Sequence, residues 1–360
     1  MRRIAFTIGV MGNGGAERVI AALSNEWAAR GDKVRIITIY GTRQDYALAP
    51  EVEICPIVCK NKIKVLRPLE RIGAIRRSLV EFQPNVVVSF LADVNIHTIL
   101  ACRNLPFPLI VSERNDPRNI PRQKWMRKLR DRVYNRTQGL VFQTNEAAEY
   151  FTPHIKKSIP TAIIPNPITD GLPLRTPDPV NRRLITACRL NPQKNLKMMI
   201  DAVGDVLATG RECFLDIFGD GPLRAELQGY IDAKGLGERI VLRGFSRNIH
   251  DEMTKSAAFV ISSDYEGISN SMLEALAIGL PTIATDCPVG GARMFIEDGV
   301  NGRLTPVGDR VALKNALIDV LDRPDEAERM TQNAINIREK LDVKKIVQMW
   351  SEFISTASAR

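Results

Sequence analysis

Short apolar runs alternate with longer amphipathic stretches along the chain. Residues 4–10, 34–40, 86–89, 109–111, 139–143 and 162–164 are apolar over the length of a strand, and between them 16–30 and 69–82 repeat their apolar positions at helical spacing. Unbroken apolar strands separated by helices imply βαβ units and a parallel sheet covered on both faces. Pro165, Pro167, Pro173, Pro177 and Pro179 interrupt this rhythm in a polar stretch and mark a linker. The rhythm then restarts, with strands at 183–188, 213–218, 240–242, 259–262, 282–284 and 302–304, and helices at 197–209, 222–234, 270–277 and 311–321. Residues 324–358 are mostly helical in pattern. No sequence repeat is visible, yet the order of elements predicts an α/β chain of two doubly wound, Rossmann-like halves. Two such halves facing each other make a cleft, and open sheets of this kind bind ligands at the carboxyl ends of their strands.

At 360 residues the chain is long enough for two domains. Its net charge of +9 is unevenly placed: residues 1–170 carry 26 Lys and Arg against 15 Asp and Glu, whereas 171–360 carry 24 against 26. An anionic partner is therefore expected to meet the first half. The six cysteines are scattered and form no framework for disulfides or zinc, as suits a reducing cytosol. No apolar run approaches the roughly 18 residues of a membrane span. The opening Met1-Arg2-Arg3 and the apolar residues after it are broken by glycines and charge before any cleavage site. A cytosolic or peripheral membrane protein is expected.

Four stretches carry candidate chemistry, each directly after a predicted strand. Gly9-Val10-Met11-Gly12-Asn13-Gly14-Gly15 precedes a helix, so its backbone amides and the positive helix end converge on one spot where an anion would fit. The glycine spacing is not that of the dinucleotide enzymes, and a plain βα turn is the alternative. In Cys188-Arg189-Leu190-Asn191-Pro192-Gln193-Lys194-Asn195 two cations, Arg189 and Lys194, flank a turn and are placed to clamp a diphosphate, or else are solvated surface charges. Phe218-Gly219-Asp220-Gly221-Pro222 is a turn whose glycines would let a nucleotide lie close to the backbone. Finally, Ser263-Asp264-Tyr265-Glu266-Gly267-Ile268-Ser269-Asn270-Ser271 leads into the helix that holds Glu274, with Ser269 or Asn270 as its cap. The amides of Ser269, Asn270 and Ser271 suit a phosphate, and Glu266 and Glu274 on either side suit the hydroxyls of a sugar. An acid on so apolar a helix needs partners, and a ligand with two donors would supply them.

In this order and spacing the stretches resemble the retaining glycosyltransferases of family 4, with the GT-B architecture, nearly from end to end. Gly279-Leu280-Pro281-Thr282, Thr285 to Arg293, Asp298 to Gly302 and Ser112-Glu113-Arg114-Asn115-Asp116-Pro117 are similar to members that build bacterial surface and lipid-linked glycans. The resemblance implies an acceptor-binding domain over 1–170, a donor-binding domain over 171–345, and a C-terminal helix over 346–360 that packs back on the first domain. It implies that Glu266 contacts the donor sugar, that Glu274 contacts the ribose of a nucleotide, and that Arg189 and Lys194 hold the diphosphate, with Gly14, Gly15, Gly219, Gly267, Ser269, Asn270 and Ser271 around it. The expected reaction moves a hexose or N-acetylhexosamine from a nucleotide-sugar, UDP-linked by preference, to a polyprenyl-diphosphate-linked sugar. No cofactor or metal is implied, and His97, His154 and His250 form no ligand cluster in the sequence. Where some relatives have a histidine touching the sugar, this chain offers Asp93, Asn95 or His97.

Two basic clusters colour the first half. One joins Lys60, Lys62, Lys64, Arg67, Arg71, Arg76 and Arg77; the other sets Arg118, Arg122, Lys124, Arg127, Lys128, Arg130, Arg132 and Arg136 around Trp125, Met126, Leu129 and Val133. The second reads as a basic amphipathic helix on the anionic cytosolic face of an inner membrane, with Arg114 and its neighbours meeting the acceptor diphosphate. A solvated face is the plainer reading. Nucleic acid is not expected, since no motif or aromatic platform for it is present. A non-catalytic nucleotide-sugar-binding subunit is the rival from another class.

Overall fold

The computed structural model describes residues 1–12, 14–59, 63–176, 178 and 180–358, with only the backbone of Lys64. Asn13 of the glycine-rich stretch, Lys60 and Lys62 of the first basic cluster, and Pro177 and Pro179 of the linker lie outside the described residues. The chain forms two compact units: Met1–Pro167 with Val343–Arg360, and Ile168–Asp342.

In the first unit, strands β1 (Arg3–Ile8), β2 (Lys33–Thr38), β3 (Val52–Pro56), β4 (Val86–Phe90), β5 (Leu109–Ser112), β6 (Gly139–Phe142) and β7 (Thr161–Ile163) alternate with helices α1 (Gly15–Ala29), α2 (Arg67–Phe82), α3 (Ala92–Ala101), α4 (Lys124–Val133) and α5 (Asn145–Phe151). All neighbouring strands run parallel in the order β3-β2-β1-β4-β5-β6-β7. The second unit has β8 (Arg183–Ala187), β9 (Phe214–Phe218), β10 (Ile240–Gly244), β11 (Ala258–Ile261), β12 (Thr282–Thr285) and β13 (Arg303–Thr305), again parallel, in the order β10-β9-β8-β11-β12-β13. Its helices are α6 (Leu196–Ala208), α7 (Arg224–Ala233), α8 (Ile249–Thr254), α9 (Asn270–Ile278), α10 (Arg310–Asp322), α11 (Pro324–Ala334) and α12 (Ile337–Lys340). In each sheet the chain winds outward, returns past its first strand and winds out the other way. The switch points fall between β1 and β4 and between β8 and β11, where such sheets open a crevice at their carboxyl ends.

The central strands are buried along their whole length, as doubly covered parallel strands must be. The edge strand β3, which carries no apolar run, follows the alternating pattern Val-Glu-Ile-Cys-Pro and ends on a proline that an edge tolerates. Helix α13 (Val343–Ser358) belongs to the first unit. Its buried Trp350 stacks on Phe90 at 5.5 Å, Phe90 meets Phe6 edge-on, and Phe6 stacks on Trp27, whose indole donates to Ser351 Oγ at 3.1 Å. Aromatic burial of this extent holds the terminal helix firmly.

Beneath the loop after β5 lies a buried polar group. Glu113 accepts from Tyr134 Oη at 3.0 Å, and Asn95 donates to Tyr134 at 2.8 Å and to the Ser112 carbonyl at 3.1 Å. Burial pushes the Glu113 carboxyl up to about 7. Arg130 does not cancel this: it stands 3.9 Å away and gives its close bonds to Asp131 instead. A carboxyl raised from 4.5 to about 7 keeps its proton in the folded chain after the unfolded chain has lost it, so stability falls as pH rises across that window. Thermal melting at pH 5 and pH 7.5 is expected to show this fall in the wild type and to show it much reduced in Glu113→Gln.

Candidate functional site

The site is built at the switch point of the second sheet. After β8 the chain turns through a short 3-10 segment, Pro192–Lys194, and Asn195 closes it with a left-handed φ of 44° before α6 begins. After β11 runs the loop that leads into α9. The two loops are laced together: Asn195 donates to Asp264 Oδ1 at 2.7 Å, Gln193 donates to the Tyr265 carbonyl at 2.7 Å, and Ser262 Oγ donates to the Lys194 carbonyl at 2.8 Å. The Ser263 carbonyl is held in turn by Thr285 Oγ1 at 2.7 Å and the Cys287 thiol at 3.2 Å.

This lacing brings Lys194 and Glu266 into an ion pair, with Ser263 Oγ also donating to Glu266 at 3.3 Å. Burial alone would lower the Lys194 ammonium, but the attraction of Glu266 outweighs it and holds its pKa above the ordinary lysine value. The lysine is thus charged at every physiological pH. A small cavity is lined by Lys194, Ser263, Ser269 and Ser271, so the cation and the start of α9 share one space. Ser269 caps α9, its Oγ accepting from the Met272 amide at 3.4 Å, and a second cavity beside it is lined by Glu266, Gly267, Thr285 and Cys287. A fixed cation, the first-turn amides of a helix and a carboxylate meeting at one point can hold a phosphate and a hydroxyl-bearing group side by side.

Glu274 sits one turn further into α9 and is 4% exposed. Its partners are on the chain itself: Thr169 Oγ1 donates to Oε1 at 3.4 Å, and His250 Nε2, on α8, lies 3.2 Å from Oε2. The expectation that a ligand alone must supply the donors for this acid is corrected, since both oxygens are already addressed by protein groups. Neither Thr169 nor His250 carries a local signal, because each comes to Glu274 from a distant element.

The other expected residues fall as follows. Arg189 stands exposed at the start of the same loop as Lys194. Gly219 has a φ of 116°, and a β-carbon there would come within 1.9 Å of the Cys188 carbonyl; one on Gly221 would come within 2.4 Å of the Leu190 carbonyl. These glycines are therefore demanded by the packing of the β9 turn on the β8 loop, ahead of any ligand. A β-carbon on Gly291 would likewise come within 1.7 Å of the Gly267 carbonyl, so there the demand for glycine falls on Gly291. Gly14 caps α1 and Gly15 opens it, in the first unit, where the Gly14 carbonyl accepts from Tyr46 Oη at 3.0 Å. Of the three residues after β4, Asn95 is buried in the polar group under Tyr134, His97 Nδ1 contacts the Asp93 carbonyl at 2.7 Å, and Asp93 accepts from Tyr40 Oη at 2.8 Å.

The basic helix α4 is partly as expected. Trp125 is 65% exposed, and Arg118 and Lys128 are exposed with it. Arg130 is no part of that face: it is fully buried, bonded to Asp131 and to the carbonyls of Pro117 and Ile120. Arg127 is half-buried and donates to the carbonyls of Pro121 and Arg122. Arg114 is not on the surface either, being 8% exposed. Among the described residues no helix is long and apolar enough to cross a membrane, and no group of three or more His, Cys, Asp or Glu could hold a metal ion.

Two parallel-sheet Rossmann-like units, each with a switch point at the carboxyl ends of its strands, define the GT-B class of glycosyltransferases. The family described as "Glycosyltransferase Family 4" matches residues 13–171, and "Glycosyl transferases group 1" matches 178–337, leaving only a short connector between them. The chain belongs to these glycosyltransferases and is a transferase enzyme. It is 25% identical over 360 residues to the GalNAc-alpha-(1->4)-GalNAc-alpha-(1->3)-diNAcBac-PP-undecaprenol alpha-1,4-N-acetyl-D-galactosaminyltransferase of Campylobacter jejuni, covering 99% of both chains. Among solved structures it resembles the sucrose-phosphate synthase of Thermosynechococcus elongatus, with a TM-score of 0.86 at 17% identity over the whole of both chains. It also resembles HepE of Anabaena, solved with UDP and glucose, with a TM-score of 0.82 at 19% identity over 99% of this chain and 100% of that one.

Proposed function

We propose that the second unit binds a nucleotide-sugar, UDP-linked by preference, and that the chain transfers its hexose or N-acetylhexosamine with retention to a lipid-linked sugar carried on a polyprenyl diphosphate. The single observation that carries the donor half is the Lys194–Glu266 pair beside the start of α9. A diphosphate leaving group develops negative charge as the glycosidic bond breaks, and a fixed ammonium with helix amides stabilises it without reorganising. In this reading Lys194 bridges Glu266 and the phosphate, Arg189 swings in from the loop rim, Glu266 takes the hydroxyls of the sugar, and Glu274 takes the ribose. The acceptor hydroxyl attacks from the face the leaving phosphate departs, and that phosphate takes its proton, with no metal needed.

The acceptor half rests on the Campylobacter relative, whose name states an undecaprenol-linked substrate, and on the basic character of residues 1–170. The first unit would then receive the acceptor, with the exposed Trp125, Arg118 and Lys128 at the cytosolic face of the inner membrane.

A panel of UDP-, GDP- and ADP-sugars, incubated in EDTA with the purified chain and a polyprenyl-diphosphate-linked sugar, tests this reading. One donor class is expected to be consumed with its anomeric configuration kept in the product. Donor binding without transfer or hydrolysis anywhere in the panel would instead mark a non-catalytic nucleotide-sugar-binding subunit. Glu274→Ala is expected to weaken binding of the nucleoside diphosphate by about tenfold or more, the worth of a hydrogen bond to a charged group. Unchanged affinity by calorimetry would remove Glu274 from the ribose.

A further inference from the structure

Arg114 follows β5 at the carboxyl end of the first sheet, in the unit that the donor site does not use. Its guanidinium lies 4.4 Å over the ring of Phe90 and 5.9 Å from that of Trp350. Nη1 faces the Ile164 carbonyl at a long 3.5 Å. Nε and Nη2 are buried and have no hydrogen-bond partner. Those two nitrogens form one edge of the planar group, the edge that grips two oxygens of a carboxylate or phosphate in parallel. The adjacent Glu113 does not pair with the guanidinium: its carboxyl accepts from Tyr134 and from the Arg114 backbone amide.

At the same rim of the sheet other polar atoms are equally unanswered. Ser112 Oγ, at the end of β5, and Gln143 Oε1, just past the end of β6, are buried without partners. The amide nitrogen of Gln143 is spent on Asn166 at 2.8 Å. Pairing of Ser112 with Val141 and of Phe142 with Ile163 brings these residues to one rim of the sheet. Burial lowers the Arg114 pKa to about 9, so the group still carries its proton at neutral pH. A buried cation that no acid pairs with is costly, and two unanswered polar atoms at the same rim add to that cost. A folded chain keeps such a group where a ligand completes it.

We propose that Arg114, with the Ser112 hydroxyl, forms an oxyanion site in the first unit that grips the acceptor substrate through a bidentate anionic group. The inference rests on the transferase reading for its purpose, though not for its geometry. Two sources present the same pair of oxygens: the diphosphate of a lipid-linked acceptor, and the carboxylate of an acidic sugar within it.

The test uses the full chain carrying Arg189→Ala and Lys194→Ala, which removes the cations of the nucleotide site, and follows thermal melting with pyrophosphate and with glucuronate at matched ionic strength. At least one anion is expected to raise Tm by about 3 °C near saturation, with the rise lost in a further Arg114→Met variant. A response to pyrophosphate assigns the diphosphate, and a response to glucuronate the acidic sugar. Arg114→Lys keeps the charge but loses the fork, so it is expected to lose most of the response, and it carries the test if Arg114→Met does not fold. In the otherwise wild-type chain, Arg114→Lys should raise the acceptor KM about tenfold and leave the donor KM unchanged. No response to either anion, or the same response without Arg114, would overturn the site. Binding of UDP to the wild-type chain reports separately on the transferase reading, so the two failures are distinguishable.

Discussion

Replacing Lys194 with alanine is expected to lower the turnover of donor by about 10²–10³-fold, the loss seen when one preorganised donor to a developing anion is removed. The reason is positional. Lys194 is held by the turn Pro192–Lys194, by the bond from Ser262 Oγ to its own carbonyl, and by the ion pair with Glu266, so its charge waits at the start of α9 before any donor arrives. The substitution also leaves Glu266 without its cation, next to where a phosphate would sit, so repulsion adds to the loss. The fold should survive, because the loops remain joined by Asn195 to Asp264 and by Gln193 to Tyr265. Single-turnover assays with the melting temperature measured alongside check both parts. Full turnover by Lys194→Ala would remove the lysine from the chemistry.

The second large effect is expected at Gly219. An added β-carbon would lie 1.9 Å from the carbonyl oxygen of Cys188, a backbone atom that cannot rotate aside, and the φ of 116° is one that other residues rarely adopt. Gly219 also donates its amide to the Gly244 carbonyl at 2.7 Å, and Cys188 donates to Phe218, so any shift moves three strand ends at once. Gly219→Ala should therefore destabilise the chain by about 3 kcal/mol or more, beyond the usual range of single substitutions. Because the displaced segment begins the loop that carries Arg189 and Lys194, nucleotide affinity should fall with it. Urea unfolding read beside nucleotide binding checks this. A stable variant with normal affinity would mean that the turn can relax, and that this glycine is not needed for the site.

Much of this arrangement could be read from the residues, and the parts that could not have physical causes. The buried parallel strands announce themselves as unbroken apolar runs, and the positions of Lys194, Glu266 and Glu274 after strand ends follow from that rhythm. The contact between Lys194 and Glu266 is not legible, since it joins residues 72 apart through a lattice of loop bonds. The same holds for Thr169, 105 residues from Glu274, and for His250, which the sequence offers only as a solitary histidine. Strand β3 escapes notice because an edge strand alternates rather than running apolar. The basic stretch around Trp125 misleads at one point: Arg130 and Val133 point inward along α4, and an arginine bonded to Asp131 and two carbonyls looks in sequence like any other surface cation. Gly219 misleads in the opposite way, since its backbone duty resembles a ligand's demand.

The central claim is that Lys194 and the start of α9 hold the diphosphate of a nucleotide donor. Titration calorimetry of the wild-type chain and Lys194→Ala, with UDP, GDP and ADP and with the matching nucleosides, tests it most directly. One diphosphate should bind the wild-type chain at least about a hundredfold more tightly than its nucleoside, and Lys194→Ala should remove at least about tenfold of that difference, as loss of one charged contact would. Equal affinity for diphosphate and nucleoside in the wild type, or a difference that Lys194→Ala leaves intact, would contradict the account.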